Sequence, residues 1–418
     1  MATTTILADL PPARAIPMTF RDSFRSWWAV GEKESLASEE RLLRNTPASN
    51  PAPPVTASSS FVHLSKHSQY INTLSILPNT QNSQTPPAVL LHGYGAGLGF
   101  FFHNFASLGD WVKRRNTPVY ALDWLGMGRS ARVPFKIKSK KEDIPGRVSE
   151  AEGFFIDSLE EWRQKMGIER MTLVGHSLGA YLSVAYAIKY PNRVARLVLL
   201  SPAGVPHDAD TSVPSKEMDA TPNPGTDASI DDAIQPARRS ILSRIRTQQK
   251  VEKRREGSFA RLMMHLWEEG WSPFQVVRYT LFWGPLLVGK YSSRRFAHLT
   301  EEETRNMHDY ILNITLAKGS GEYCISHILS FGAHARMPLV DRVSVLTNIP
   351  ITFVYGDHDW MDPEGGARAV ENLRGAGNRH AKTVIIKGAG HHVYLDNAPA
   401  VNELLTRELD KTVVEDSS

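Results

Sequence analysis

Short apolar runs alternate with longer amphipathic stretches in two parts of the chain, residues 61–204 and 349–418. Apolar runs of roughly four to eight residues between turn signals are typical of buried strands, and the stretches between them have the length of helices. This alternation predicts an α/β fold with a mostly parallel, doubly wound sheet, built from both parts. The predicted strands are Phe61–Leu64, Tyr70–Leu77, Ala88–Leu91, Val119–Asp123, Met171–Val174, Arg196–Leu200, Ile351–Tyr355 and Thr383–Ile386, the first two forming a hairpin.

The alternation breaks over residues 205–348, which we interpret as an insertion into the core. Its stretch 208–232 is polar and predicted to be disordered, and 236–261 predicts a strongly basic helix. Met263–Val288 then carries many large apolar and aromatic side chains. Two interpretations remain open: a helical cap that covers a site on the core, or a plain helical subdomain in which these aromatic residues form a core of their own.

Residues 1–60 precede the first predicted strand and are expected to be peripheral. Phe20–Leu43 can form one amphipathic helix that carries Trp27 and Trp28, and Asn45–Ser60 has the Pro, Ser and Ala content of a linker. Paired tryptophans suit a membrane interface, and they equally suit docking on the core. The candidate membrane-binding residues are these two tryptophans together with Arg238, Arg239, Arg244 and Arg246 of the insertion.

Composition narrows the class of protein. The 418 residues carry a net charge of +4 and 41% hydrophobic side chains, which permits a large core and does not suggest a nucleic-acid partner. The clustered basic residues make an anionic membrane surface the more natural partner. The single cysteine, Cys324, cannot form a disulfide within the chain and favours a reducing compartment. The first 26 residues partly resemble a mitochondrial transit peptide, although a disordered terminus is an equal alternative.

The candidate chemistry begins at Gly175-His176-Ser177-Leu178-Gly179, between a predicted strand and a predicted helix. This is the G-x-S-x-G pattern of a nucleophile elbow, a sharp turn that holds the serine out of the sheet at the positive end of a helix. Both glycines are needed because side chains there would collide with the strand and the helix. Ser177 is therefore the candidate nucleophile, with an ordinary glycine-rich turn as the alternative.

An oxyanion hole is predicted from a glycine-rich stretch upstream of the serine. His92-Gly93-Tyr94-Gly95 follows a predicted buried strand, and one backbone N–H between Gly93 and Gly95, that of Tyr94 by preference, is the first candidate donor. The second is the N–H of Leu178, the residue after the nucleophile. Chain order supports this assignment, because an oxyanion stretch, a serine, an acid and a histidine follow one another as such a site requires.

The base and the acid are expected after the two last strands. His391, the first histidine after a glycine-rich loop, is the candidate base, and its neighbour His392 is expected to pack. Asp359 is the favoured acid for orienting the imidazole, Asp362 is its rival, and Asp357 is the least favoured. These residues need no metal ion or cofactor, and none is expected.

A second pattern joins His391 to Asp396 with the spacing H-x₄-D. In acyltransferases such a pair serves as a base and an orienting carboxylate that act on an acceptor hydroxyl. We favour the alternative that Asp396 caps the start of the last helix. If the pair does serve acyl transfer, Asp396→Ala should abolish transfer and leave hydrolysis largely intact.

These stretches together resemble one branch of the α/β-hydrolases, over residues 20–410. The branch contains the lipid-droplet lipase co-activator, the N-acyl phospholipid lipases, plant lysophosphatidate acyltransferase-like lipases and fungal mitochondrial cardiolipin-specific deacylases. The matching stretches are Leu91–Gly99, Pro118–Ser130, Glu160–Arg163, Gly175–Gly179, Tyr355–Asp362 and Gly388–Asp396. In some members of the branch the acid stands only at the position of Asp362. The co-activator has asparagine where this chain has Ser177 and is not itself a lipase.

The resemblance implies a serine acyl hydrolase of the phospholipase A type that acts on a glycerophospholipid. Tyr355–Asp362 is most similar to the cardiolipin deacylases, which implies cardiolipin as the substrate, monolysocardiolipin as the product and a peripheral location on the mitochondrial inner membrane. The alternatives are an acyltransferase that moves acyl groups from acyl-CoA to lysophosphatidic acid or another lysophospholipid, and a non-catalytic co-activator on a lipid surface. The cytoplasm or the lipid droplet is the alternative location.

Overall fold

The structure is a computed structural model that describes residues 10–44, 55–79, 85–207, 264–331 and 334–415. The predicted disorder of 208–232 and the predicted basic helix 236–261 lie outside these residues. The candidate membrane-binding residues Arg238, Arg239, Arg244 and Arg246 lie outside them as well.

One sheet of eight strands organises the described core, in the order β1-β2-β4-β3-β5-β6-β7-β8. The pairs β1–β2 and β2–β4 are antiparallel, and all the remaining neighbouring pairs are parallel. The strands are β1 Val55–His63, β2 Tyr70–Pro78, β3 Ala88–Leu91, β4 Val119–Leu122, β5 Met171–His176, β6 Val194–Leu200, β7 Ile351–Gly356 and β8 Lys382–Ile386. The predicted α/β class and mostly parallel sheet are confirmed.

Helices cover both faces of the sheet, which explains why its central strands are buried along their whole length. The helices are α1 Phe20–Ala29, α2 Glu32–Leu43, α3 Phe105–Arg115, α4 Ile144–Lys165, α5 Leu178–Lys189, α6 Pro273–Tyr279, α7 Gly284–Arg295, α8 Glu301–Leu316, α9 Ile325–Ile328, α10 Pro363–Gly375, α11 Val393–Asp396 and α12 Ala398–Glu415. Buried residues of α4, α5 and α10 fill the core on one face, and those of α3 and α12 fill it on the other. The carboxyl ends of β3, β5, β7 and β8 consequently meet at one edge, where the candidate residues lie.

The first strand begins earlier than the sequence predicts, and the linker assigned to 45–60 is wrong from Val55 onward. β1 pairs with β2 over all nine of its residues, from Val55 opposite Pro78 to His63 opposite Tyr70. Serines and threonine dominate its first half and resemble a linker in composition. Val55 and Ser59 are nevertheless buried, so the partner strand rather than local composition decides the conformation here.

The N-terminal segment also differs from its prediction, because it forms two helices instead of one. α1 ends at Ala29, and Gly31 is fully extended before α2 begins. α1 lies against the segment Leu281–Trp283 and against α7, while α2 packs on α8. The N-terminal segment is therefore docked on the insertion.

The described part of the insertion is helical. α8 begins with a capping box in which the Thr300 hydroxyl accepts the Glu303 N–H and the Glu303 carboxylate accepts the Thr300 N–H. Its aromatic segment does not serve only as a core, since Tyr279, Leu281 and Trp283 are each more than half exposed. Within the described residues, no helix combines the length and the apolar character needed to span a membrane.

Candidate active site

Ser177 occupies a strained turn between β5 and α5, at φ +51° and ψ −115°. Its neighbours explain why only glycine fits on both sides. A Cβ at Gly175 would lie 2.6 Å from the carbonyl oxygen of Gly179, and one at Gly179 would lie 2.4 Å from that of Leu91. Strand, turn and helix are thus packed backbone against backbone, and this packing maintains a left-handed conformation that serine rarely adopts.

The structure brings His391 between Ser177 and Asp359, although the three residues come from three separate parts of the chain. His391 Nε2 lies 3.1 Å from Ser177 Oγ, and His391 Nδ1 lies 3.1 Å from Asp359 Oδ1. The side chain of Asp359 is fully buried, and its Oδ1 also accepts the N–H of Met361. This is the geometry in which an imidazole removes the proton of a serine hydroxyl while a carboxylate fixes its orientation.

The three candidate acids after β7 have three different partners. Asp359 contacts His391, whereas Asp362 caps α10 by accepting the Glu364 N–H and forms an ion pair with Arg368 at 3.5 Å. Asp357, the least favoured acid, accepts the N–H groups of Gly388 and Ala389, each at 3.0 Å. It therefore fixes the loop that carries His391, a role that the sequence did not indicate.

The predicted oxyanion loop lies directly against the serine. A Cβ at Gly93 would be 3.0 Å from Ser177 Cβ, and Gly95 adopts φ +72° within a tight turn closed from Ala96 N–H to the Gly93 carbonyl. Leu178 is the first residue of α5, so its N–H has no acceptor within the helix. The backbone around Tyr94 and the N–H of Leu178 therefore flank the serine, where the charge of a tetrahedral intermediate would develop.

Two buried residues for which the sequence indicated no role hold the base of this loop. His92 Nδ1 donates to the Gly93 carbonyl oxygen at 2.8 Å, while His92 Nε2 accepts the N–H of Trp124. Burial lowers the pKa of His92, which favours this neutral, singly protonated ring. Asp123 accepts the N–H groups of Leu98 and Arg129. The signal for Asp123 was its position in the glycine-bearing turn directly after β4.

The two histidines with no predicted chemical role lie beside His391. His176 Nε2 donates to the carbonyl oxygen of His391 at 3.0 Å, and the two rings are 4.8 Å apart. His392 Nδ1 accepts a hydrogen bond from Arg295 at 2.9 Å. Burial lowers the pKa of His176 and of His392 well below the usual value, so both rings stay neutral.

Asp396 does not cap the last helix, and that prediction is wrong. The cap of α12 is Asn397, whose side-chain oxygen accepts the Ala400 N–H. Asp396 is instead buried in an ion pair with Arg295 of α7 at 3.1 Å, and its other oxygen accepts the N–H of Gly390 at 3.0 Å. The carboxylate therefore links the insertion to the residue before the candidate base.

Comparison with known proteins matches this architecture to one family. A family model described as alpha/beta hydrolase fold matches residues 86–398. Among solved structures, carboxylesterase CesB from Bacillus subtilis superposes with a TM-score of 0.50 at 15% identity, over 92% of this chain and 97% of that chain. At this identity the superposition speaks for the fold alone.

Two characterised relatives are similar over most of their length. A 1-acylglycerol-3-phosphate O-acyltransferase of Arabidopsis thaliana is 32% identical over 406 residues, which cover 94% of this chain and 84% of that protein. A (lyso)-N-acylphosphatidylethanolamine lipase of Homo sapiens is 32% identical over 342 residues, which cover 81% of this chain and 82% of that protein. The predicted membership in the branch that holds such enzymes is confirmed.

Exchanging the two rival acids separately should distinguish them. Asp359→Asn should lower kcat on a soluble p-nitrophenyl ester by about 10³–10⁴-fold, because an amide cannot hold the imidazole in the required tautomer or stabilise the imidazolium. Asp362→Asn is the matched control, since asparagine is an equally good helix cap, and it should keep most of the activity. The opposite ranking of the two variants would make Asp362 the acid.

Asp396→Ala should impair hydrolysis as well as any acyl transfer. The change leaves Arg295 buried without its partner and frees the Gly390 N–H, and breaking a buried ion pair costs about 3–5 kcal/mol. We expect a lower free energy of unfolding in urea and at least about a tenfold lower kcat on the soluble ester, as one 1.4 kcal/mol step in the barrier would give. Wild-type hydrolysis in this variant would contradict a positioning role for Asp396.

Proposed function

The chain belongs to the α/β hydrolase family, and we propose that it is a serine acyl hydrolase of the phospholipase A type. It removes a fatty acyl chain from a glycerophospholipid, with cardiolipin as the substrate and monolysocardiolipin as the product. The observation that carries the proposal is the pair of hydrogen bonds that links Asp359 to His391 and His391 to Ser177, beside an oxyanion loop. These groups are sufficient for ester hydrolysis with water as the second reactant.

The reaction follows from the positions of these groups. Ser177 Oγ attacks the ester carbonyl carbon while its proton moves to His391 Nε2, and Asp359 stabilises the resulting imidazolium. The negative oxygen of the tetrahedral intermediate faces the N–H groups of Leu178 and Tyr94, each of which is worth about 10²–10³ in rate. When the intermediate collapses, the imidazolium protonates the departing lysolipid alkoxide. Water, deprotonated by His391, then hydrolyses the acyl-serine and restores the hydroxyl.

The two relatives support a phospholipid substrate. One is named for acyl transfer to acylglycerol phosphate and the other for lipase activity on N-acylphosphatidylethanolamine. The proposal of cardiolipin within this class rests on the similarity of Tyr355–Asp362 to the cardiolipin deacylases and on the basic composition of residues 236–261. A lipid with two phosphates is the natural partner of clustered arginines. The proposed location is accordingly the mitochondrial inner membrane.

An aromatic patch on the described surface supports peripheral binding to that membrane. Phe20, Phe24 and Trp28 of α1 project outward, whereas Ser23 and Ser26 on its other side are buried. The Ser23 hydroxyl donates to the Phe282 carbonyl oxygen and accepts the Leu286 N–H, so the buried serine face attaches the helix to the insertion by hydrogen bonds. We call the exposed side chains of Phe20, Phe24, Trp28, Leu281 and Trp283 the aromatic patch.

The aromatic patch is formed jointly by α1 and by the aromatic segment of the insertion, the two segments for which the sequence left two interpretations open. The ring of Phe20 lies 4.8 Å from that of Trp283, and Phe24 lies 6.3 Å from Phe282. Trp28 is 75% exposed and Leu281 is 52% exposed. Aromatic and aliphatic groups held in this way on a rigid surface suit insertion between lipid headgroups. Docking on the protein and contact with a membrane are therefore compatible roles of one helix.

Acyl transfer is the second candidate, favoured by the name of the Arabidopsis thaliana relative. The acyl-serine formed at Ser177 would be attacked by the hydroxyl of a lysophospholipid instead of water, with His391 as the base in both reactions. The co-activator alternative predicts that Ser177 is dispensable, and the placement of His391 at 3.1 Å from its hydroxyl argues against that alternative.

Fatty-acid release from liposomes tests the proposed substrate. The purified protein is expected to release fatty acid from cardiolipin faster than from phosphatidylglycerol, phosphatidylcholine or N-acyl phosphatidylethanolamine, with monolysocardiolipin as the product. Ser177→Ala is expected to release none. Faster release from another of these lipids would replace cardiolipin, and transfer of label from acyl-CoA to a lysophospholipid without release would favour the transferase.

The aromatic patch should set the affinity for vesicles without altering the chemistry. Trp28→Ser with Leu281→Asn should lower binding to cardiolipin-containing vesicles at least about tenfold, since each side chain is worth about 1.5–3 kcal/mol on burial. Asparagine is chosen because residue 281 has φ +51°, which asparagine tolerates. Val345→Ser with Ile385→Ser, two exposed apolar residues elsewhere, is the control. If the patch variant and the control variant sediment equally with vesicles, the aromatic patch does not bind the membrane.

A further inference from the structure

The N-terminal segment places a buried carboxylate in the core, although it lies outside the residues 86–398 that match the family. Glu39 of α2 is 0% exposed. Its carboxylate accepts a hydrogen bond from Arg129 Nη1 at 2.8 Å and one from Asn72 Nδ2 at 3.0 Å. Burial raises the pKa of Glu39 to about 7 in spite of the nearby Arg129 charge, so the charged form is held here at a cost. The sequence predicts a peripheral segment at this point, and the proposed reaction gives Glu39 no role.

The amide of Asn72 in β2 connects Glu39 to a second buried carboxylate. Asn72 Nδ2 lies 2.8 Å from Asp123 Oδ2 as well as 3.0 Å from Glu39 Oε2. Because the amide nitrogen has two N–H donors, one of them points at each carboxylate. The amide oxygen of Asn72 faces the other way and accepts the Ser59 hydroxyl at 3.4 Å. The two carboxylates together therefore fix the orientation of this amide.

Asp123 in turn binds the backbone that leaves the oxyanion loop. Its Oδ1 accepts the N–H of Leu98 at 2.7 Å, and Leu98 follows Gly95 by three residues. The approach is close, because a Cβ at Gly97 would lie 3.0 Å from the same oxygen. A rotation or shift of the Asp123 carboxylate would consequently move the backbone at the end of the loop. A line of hydrogen bonds thus runs from α2 through β2 to the oxyanion loop.

We propose that Glu39 is a positioning residue for the oxyanion loop and acts through Asn72 and Asp123. The inference rests on the proposed ester hydrolysis, in which this loop stabilises the negative oxygen of the intermediate. Without the carboxylate of Glu39, the Asn72 amide loses one of the two acceptors that orient it, and its hydrogen bond to Asp123 is no longer fixed. A small displacement of catalytic donors is enough to lower the rate. The N-terminal segment is accordingly part of the catalytic core.

Hydrolysis of a soluble p-nitrophenyl ester tests this role at about pH 8.5, where Glu39 carries its charge. Glu39→Gln keeps the shape of the side chain but replaces one acceptor oxygen by a donor. We expect kcat to fall at least about tenfold while KM stays within about twofold, because the loop stabilises the transition state more than the bound ester. The affinity for a boronic acid, which forms a tetrahedral adduct with the serine, should fall in parallel with kcat. Glu39→Asp should recover part of kcat, whereas a change in KM alone would overturn the proposal.

Two matched variants separate this role from a general loss of stability. Glu34→Gln removes a charge from the same helix, where Glu34 pairs with Arg41 at 3.2 Å. Glu408→Gln removes another fully buried carboxylate, which pairs with Lys382 at 2.6 Å. Both variants should keep the wild-type kcat, although Glu408→Gln should lower the free energy of unfolding in urea. If either control loses as much kcat as Glu39→Gln, the role of Glu39 is only structural and the proposal is overturned.

A double variant tests the route through Asn72. Asn72→Ala removes the amide between the two carboxylates and should lower kcat much as Glu39→Gln does. If Glu39 acts through this amide, the double variant should have nearly the kcat of Asn72→Ala alone, because the connection is already broken. Losses that multiply in the double variant would show that the two residues act independently and would contradict this route.

Hydrogen exchange over residues 93–99 distinguishes failure of this inference from failure of the proposed function, because the measurement needs no substrate. The backbone N–H groups of these residues should exchange at least about threefold faster in Glu39→Gln than in the wild type, and at the wild-type rate in Glu408→Gln. That result would support the inference even if the wild type hydrolysed no ester. Unchanged exchange in Glu39→Gln would overturn the inference, whatever happens to kcat.

Discussion

The close packing of backbone around Ser177 is the constraint on which the rest of the site depends. Ser177, whose backbone has a positive φ, is held between two glycines whose neighbours leave no room for a Cβ. One of these neighbours is the carbonyl group of Leu91 in β3, which lies against Gly179. Because β3, β5 and α5 approach so closely, the oxyanion loop after β3 must lie beside the nucleophile. The packing that maintains the strained backbone of Ser177 thereby also fixes the relative positions of two catalytic elements.

Carboxylates fix the remaining loops by accepting backbone N–H groups, and those of Asp123 and Asp396 are buried. Asp123 binds the N–H of Leu98 beyond the oxyanion loop, and Asp357 and Asp396 bind three successive N–H groups before His391. Asp123 and Asp357 come from different parts of the chain than the loops that they hold, whereas Asp396 follows Gly390 by six residues. The loops are thus ordered before a substrate binds, which is what electrostatic stabilisation of a transition state requires. Since Arg295 pairs with Asp396, the insertion contributes to this order.

Much of the fold and the order of the candidate residues could be predicted from the sequence, because both depend on local patterns. The apolar runs predicted seven of the strands at nearly their observed bounds, and the glycines around Ser177 predicted the turn. β1 was placed too late because its first residues are stabilised by β2 and not by their own composition. The ion pair between Arg295 and Asp396 could not be predicted from the sequence, since the two residues lie 101 positions apart and meet only through packing of the insertion on the core. Likewise, the sequence could not decide which of the three aspartates after β7 is the acid, because only the structure shows the group that each of them contacts.

The central claim is that Ser177 is a nucleophile activated by His391, whatever the lipid. Reaction with a fluorophosphonate, followed by intact mass measurement and peptide mapping, tests it most directly because the reagent labels activated serines only. The account predicts one adduct per chain, on Ser177, and its loss in His391→Ala with the fold retained. No adduct, or an adduct that forms on another residue and does not depend on His391, would contradict the account.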